Sequence, residues 1–313
     1  MNHTDLAELL KYPEQSIGVI AHDAGSASLL LRSLQPLTKQ LRFCVKGPAQ
    51  QMVSELWPNH EIHETPKQCL KGCKLLLSGT SWASKLEHEG RLIAASNHIY
   101  SVGVLDHWVN YKRRFEFDGQ YIMPDELWVY DQEALILAKQ TFPDQKIRIH
   151  KNEWLAQAIE NVIKIKSLNM DSPSSLNLLY LLEPLRDHNS GEPNRNEFKV
   201  LDFWIEKLPN LIKSKAISSC CSEVNIALRP HPSDPAGKYD DWINKHSKKW
   251  HMGIDPNARL EESLAWADAV FGCETQALVV ALACKITTFC TLPSSEPACR
   301  LPHGQLRHLS KEI

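Results

Sequence analysis

The 313-residue sequence predicts an α/β protein built from doubly wound parallel sheets. Three observations carry that expectation. Short Val-, Ile- and Leu-rich runs recur without clean alternation, as in strands buried on both faces of a parallel sheet. Each run leads into a Gly-, Ser- or Asp-containing loop and then a helix-like stretch, the rhythm of a doubly wound domain. A polar break at Lys166–Ser175 (KSLNMDSPSS) interrupts the rhythm, which then restarts.

In the first half the strands fall at Ser16–Ala21, Leu41–Val45, Lys74–Leu77, Ile99–Leu105, Leu127–Tyr130 and Lys146–His150. Helices are expected at Ala27–Leu34, Ala49–Glu55, Ala83–Ser96, Gln132–Thr141 and Glu153–Ile165. Beyond the break, strands follow at Leu176–Leu182, Val224–Leu228, His251–Ile254, Ala269–Phe271 and Lys285–Phe289. Helices lie between them at Glu197–Lys213, Gly237–Lys248, Leu260–Ala267 and Glu274–Ala283, and Glu183–Asn196 reads as a polar loop. The expected domains are residues 1–166 and 175–313.

The 35 Lys and Arg against 37 Asp and Glu, a formal charge of −2, exclude a nucleic-acid binder that works through bulk positive charge. Nine cysteines are an odd number, and several sit in apolar runs such as ALACKITTFC, where Cys behaves as a small hydrophobe. Cys69-x-x-x-Cys73 lacks a second Cys/His pair at zinc-finger spacing, so no metal is expected. With no long apolar span and no leader-like amino terminus, the chain reads as cytoplasmic and without a transmembrane segment. Peripheral membrane contact stays open, as does the oligomeric state.

Ligands of such sheets bind outside the carboxyl ends of the strands, where helix N-termini present free N–H groups. After the first strand comes His22-Asp23-Ala24-Gly25-Ser26, with two titratable groups and a small-residue turn; an ordinary turn with Asp23 or Ser26 as N-cap is the alternative. This is not a GxGxxG fingerprint and implies no dinucleotide cofactor. A second small-residue loop, Ser78-Gly79-Thr80-Ser81, follows the KLLL strand. Asp106–Phe115 packs an acid, His107, three aromatics and the cations Lys112, Arg113 and Arg114 into ten residues, suiting an anionic or sugar substrate. An ordinary amphipathic face is its alternative. In the second half Arg229-Pro230-His231-Pro232 follows a strand directly, and the prolines fix the backbone around His231. Gly272-Cys273-Glu274-Thr275-Gln276 ends a strand and opens an apolar helix, where ribose or phosphate could be held.

These strings resemble the GT-B glycosyltransferases, whose two Rossmann-like domains face each other across a cleft. Arg229-Pro230-His231-Pro232 resembles the His-Pro motif of bacterial transferases that use CMP-activated acidic sugars, such as sialyl- and Kdo-transferases. The resemblance implies that His231 contacts the donor phosphate and aids its departure, and that Glu274-Thr275 sits in the nucleotide-binding loop. Asp23 resembles the family's acidic general base.

The expectation is therefore an inverting, metal-independent transferase without a cofactor, using a nucleotide-sugar donor and a carbohydrate or glycolipid acceptor. Asp23 or Asp106 would deprotonate the acceptor, with His231 as the third catalytic residue. His22, Ser26, Thr80, His107, Lys112 and Arg113 would bind substrate, and Arg229, Gly272, Glu274, Thr275 and Gln276 the nucleotide. A nucleotide-sugar hydrolase or 2-epimerase of the same fold, and a non-catalytic GT-B-like partner subunit, are the rival readings.

Overall fold

The computed structural model describes residues 16–34, 41–81, 84–168, 175–185, 196–214, 216–217 and 223–312. The chain divides into two compact units, Met1–Trp154 and Leu155–Ile313. The polar break expected as a boundary lies downstream of this division, and residues 169–174 of it fall outside the described residues.

The first unit is a six-stranded parallel sheet. Its strands are β1 (Ser16–Ala21), β2 (Leu41–Val45), β3 (Cys73–Ser78), β4 (Tyr100–Val104), β7 (Glu126–Val129) and β8 (Lys146–Ile149), in the spatial order β2-β1-β3-β4-β7-β8. A separate hairpin joins β5 (Glu116–Phe117) to β6 (Gln120–Tyr121). Asp118 and Gly119 turn it with φ of 48° and 73°, the paired positive values of a tight Asp-Gly turn. The helices are α1 (Ala24–Leu34), α2 (Gly47–Leu56), the single turn α3 (Pro66–Cys69), α4 (Leu86–Ser96) and α5 (Gln132–Thr141). Val19, Phe43, Leu77, Val102 and Trp128 from the strands pack with Leu30, Leu31 and Val53 from α1 and α2 in one core. Cys69 and Cys73 are buried, and their sulfurs donate to the carbonyls of Arg42 and Cys69. Strand order reverses between β1 and β3, so the two flanking helices leave a crevice at their carboxyl ends.

The second unit starts within α6 (Glu153–Leu168). Its strands β9 (Ser175–Leu181), β10 (Glu223–Arg229), β11 (His251–Ile254), β12 (Ala269–Gly272), β13 (Thr287–Cys290) and β14 (Arg307–His308) are all parallel, in the order β11-β10-β9-β12-β13-β14. The reversal here lies between β9 and β12. Around the sheet run α7 (Glu197–Lys213), α8 (Asp240–His246), α9 (Leu260–Trp266), α10 (Gln276–Ala283) and the short α11 (Leu309–Glu312). Trp204 of α7 sits 4.7 Å from the Tyr180 ring and 5.3 Å from Phe271, anchoring the core. Asn196 caps α7 by accepting from the Phe198 N–H. The helix expected over Gly237–Lys248 starts later, at Asp240, because Gly237 takes a φ of +77°. Lys285, at φ +59°, ends the turn after α10 and delays β13 to Thr287.

Candidate functional site

The site residues of the first unit gather where β1, β3 and β4 end. His22 Nδ1 and Asp23 Oδ1 lie 2.8 Å apart. The Asp23 side chain is therefore turned to the imidazole instead of capping α1, whose first turn closes through the Ala27 N–H on the Asp23 carbonyl. The other ring nitrogen of His22 faces the backbone of Gly47, where a Cβ would stand 2.9 Å from Nε2. Gly25 plays the same part for Asp106, whose Oδ2 would clash with a Cβ there. Glycine at 25 is what admits the Asp106 carboxylate to the N-terminal turn of α1, where the helix dipole favours negative charge.

Asp106 is in turn bonded to Arg114, with 2.6 Å from Nη1 to Oδ1 and side chains that are 14% and 7% exposed. The same guanidinium reaches the Thr80 carbonyl and hydroxyl and the Val109 carbonyl. Thr80 is fully buried and its hydroxyl donates to the Val104 carbonyl at 2.7 Å, so it braces β3 against β4. Ser26 is buried against Gly79, and its hydroxyl donates to the Asp23 carbonyl. His107 accepts the Trp108 N–H at Nδ1, and the Trp108 indole N–H donates to Asp131. Lys112 and Arg113 are exposed on a 3-10 turn, Lys112–Phe115, rather than on a longer amphipathic helix. They edge a recess of about 400 Å³ with Trp108, Asn110 and Tyr111.

Two buried groups at this strand end have no signature in the sequence. Glu87 of α4 is fully buried, and its Oε1 accepts the His22 N–H at 2.8 Å. Burial pushes its carboxyl up to about 8, against the lowering effect of the backbone N–H groups, so it is neutral at pH 7. Arg91, one turn further along α4, is also buried and donates to the carbonyls of Gly79, Arg114 and Ile122. It ties the loop after β3 to Arg114 and hence to Asp106. The partners of Glu87 and Arg91 are distant in sequence, so no local pattern announces them.

In the second unit β10 ends in Arg229 and the Pro230-His231-Pro232 turn. Arg229 faces inward: Nη1 donates to Asp255 at 2.6 Å, to the Asn257 carbonyl and to Ser263, and Nη2 to the Ala258 carbonyl. It is a strut between β10 and the start of α9. His231 is exposed. Its Nδ1 accepts the Ser233 N–H at 3.2 Å and lies 2.7 Å from the Ser233 hydroxyl. Accepting the backbone N–H places the proton of the neutral ring on Nε2. Partial desolvation lowers the His231 pKa below the usual imidazole value. Asp234 holds the turn by accepting from the His231 N–H, from Tyr239 and from Lys238.

At the β9–β12 reversal, Gly272 packs against the end of β9, where a Cβ would stand 3.1 Å from the Leu181 carbonyl. Glu274 is buried and held by Arg300, whose Nη2 lies 2.6 Å from Oε1. Thr275 caps α10 and Gln276 is its first, half-buried residue. Glu183, at the end of the segment after β9, accepts the N–H groups of Cys273 and Glu274 at 2.9 and 2.7 Å. Of the expected polar loop Glu183–Asn196, residues 186–195 lie outside the described residues.

No protein-family model and no curated protein sequence matches the chain. Solved structures do. A UDP-GlcNAc 2-epimerase from Methanocaldococcus jannaschii aligns with a TM-score of 0.57 at 14% identity, over 88% of this chain and 83% of that one. A structure described as a UDP-N-acetylglucosamine 2-epimerase from Listeria monocytogenes aligns at 0.56 and 12% identity, over 90% and 80%. The MurG of Acinetobacter baumannii aligns at 0.51 and 11% identity, over 88% and 78%. The chain thus shares the GT-B-like α/β fold of these proteins, with its two six-stranded parallel sheets. Among the described residues no helix is long and apolar enough to cross a membrane.

Proposed function

We propose that the protein is a sugar-nucleotide enzyme, and that it acts as an inverting glycosyltransferase without a metal. The observation that carries this reading is His231: an exposed imidazole at a strand end, its Nδ1 engaged by Ser233 so that the proton of the neutral ring sits on Nε2. A donor fixed in that way suits a phosphate oxygen that gains charge as the bond to the sugar breaks. Arg229 supports it indirectly, by pinning the end of β10 through Asp255.

In the first unit the His22–Asp23 pair is the better candidate base. Asp106 is committed to Arg114, whereas Asp23 and His22 are partly exposed and bonded to each other. Inverting transfer requires the acceptor hydroxyl to lose its proton as its oxygen bonds to the anomeric carbon. Meanwhile the sugar–phosphate bond breaks and its electron pair leaves with the nucleotide phosphate. The His22–Asp23 pair has the chemistry for the first of these tasks and His231 for the second. Lys112 and Arg113 suit an anionic group on the acceptor, a carbohydrate or glycolipid. The donor class to test first is a CMP-activated acidic sugar, on the strength of the Arg-Pro-His-Pro string.

A 2-epimerase is the second reading, favoured by the fold shared with two proteins named as UDP-GlcNAc 2-epimerases. The test is incubation with CMP- and UDP-sugars, with and without carbohydrate acceptors. Product that needs an acceptor supports transfer, and free or epimerised sugar formed without one supports the alternative. Absence of turnover, together with unchanged function in cells for H231A and D23A, overturns both in favour of a partner subunit.

A further inference from the structure

The crossing point of the second sheet is already occupied. In a sheet whose order reverses between β9 and β12, a ligand phosphate is expected at the N-terminus of the helix that follows the strand. Here the N–H groups of Cys273 and Glu274, leading into the eight-residue α10, donate to Oε1 of Glu183. A carboxylate oxygen and a phosphate oxygen compete for the same donors. The neighbouring acid, Glu274, is bonded through both oxygens to Arg300, so that guanidinium is already engaged by a carboxylate.

We infer that Glu183 is a specificity-determining residue of the nucleotide site: its carboxyl group stands in the place of a phosphate, and a nucleotide reaches the Cys273 and Glu274 N–H groups only by displacing it. This rests on the sugar-nucleotide reading of the preceding section and deepens it. Two consequences follow from charge alone. An ionised Glu183 opposes a phosphate by occupying its donors and by like-charge repulsion, so a diphosphate suffers more than a monophosphate. Protonation of Glu183 weakens its hold on the N–H groups and removes the repulsion.

Burial pushes the Glu183 carboxyl up to about 7, with the backbone N–H groups lowering it and Glu274 raising it. The groups facing it are Cys273, Glu274 with Arg300, Tyr180 and Cys299. Burial raises Cys273 and Tyr180 well above their ordinary values, away from neutrality. Cys299 is lowered by a hydrogen bond with Cys290, so a C299S variant serves as the control for any pH effect.

The experiment is calorimetric titration of CMP, CDP and UDP into the full chain and its E183A and E183Q variants, at about pH 6 and about pH 8, with folding followed by circular dichroism. At the higher pH, E183A binds CDP or UDP about tenfold more tightly than the parent, as removal of a competing half-buried charge predicts. The gap narrows at the lower pH, where the parent carboxyl takes up a proton, and C299S keeps the parent's pH dependence. If E183A does not fold, E183Q decides, since its amide oxygen can still accept both N–H groups: it binds more tightly at the higher pH and loses the pH dependence. Equal or weaker nucleotide binding by folded variants overturns the role of Glu183 while leaving the sugar-nucleotide reading standing. Absence of nucleotide binding by the parent and every variant overturns both.

Discussion

Asp106 Oδ1 accepts a 2.6 Å hydrogen bond from Arg114 Nη1, and the pair closes the carboxyl end of β4 against the first turn of α1. Of the two carboxylates considered as a base, this one is held by structure. Removing one partner of a buried pair leaves the other charge stranded, at a cost of about 3 kcal/mol or more. D106A is therefore expected to lower stability by roughly that amount in urea denaturation. D23N, at a half-buried site, is expected to unfold within about 0.5 kcal/mol of the parent while losing turnover. A D106A protein as stable as the parent counts against the structural assignment.

Arg229 and His231 stand two residues apart and separate by the same logic. Arg229 neutralises Asp255, whose side chain is 1% exposed and also accepts the Ser263 hydroxyl. R229A is expected to destabilise the protein by about 3 kcal/mol, through the stranded Asp255. H231A changes an exposed ring and is expected to stay within about 0.5 kcal/mol of the parent, with turnover lost. Thermal melts of the two variants beside activity measurements separate a strut from a reacting group.

Glu87 gives stability a pH dependence whose sign is fixed. Its folded carboxyl holds its proton up to about 8, against an ordinary value of 4.5 in the unfolded chain. Between these values the folded state binds the extra proton, so its contribution is full below about 4.5 and is lost as pH rises through about 8. Melting temperatures of the parent should fall across that window, and those of E87Q should fall less. An E87Q profile that superimposes on the parent's removes the assignment.

Glu126 shows the opposite arrangement. It is fully buried, and burial alone would raise its pKa, yet bonds from Lys146, Trp128 and Tyr100 and the charge of Arg148 hold it below the ordinary value. Its stabilising effect is present above the unfolded carboxyl value and is lost as pH falls through the lowered one. E126Q keeps the shape and removes the charge that Lys146 and Arg148 meet. It is expected to cost about 2 kcal/mol at neutral pH, with the difference from the parent shrinking in acid.

The alternation of apolar runs and helices was readable because each strand of a parallel sheet is a continuous apolar segment, with little pairing detail needed to find it. The hairpin turned by Asp118 and Gly119 at positive φ was found only in the structure, although an Asp-Gly pair is the local signal for such a turn. The hairpin has two residues per strand, too few for an apolar pattern. Strand β14 is as short and exists because Arg307–His308 extends an edge already set by β13.

Taking each unit by itself, the candidate residues next to strand ends, His22, Asp23 and Asp106 in the first and His231 and Glu274 in the second, were visible because doubly wound sheets collect loops at one end. Their roles were not. Asp23 and Asp106 look alike in the chain and differ only because Arg114 folds onto one and His22 onto the other. Glu183 meets Cys273 and Glu274 across about ninety residues, and Glu87 meets His22 across 65.

By itself the amino-acid sequence determined the fold class, the succession of strands and helices, and the ends of strands where polar side chains collect. Apolar burial and backbone propensity act over a few neighbouring residues, so they are written locally. Tertiary structure alone decided which carboxyl groups are paired, neutral or set against helix N–H groups. Hydrogen bonds and charge pairs depend on distances of a few ångströms between segments far apart in the chain, and burial sets how strongly each one counts.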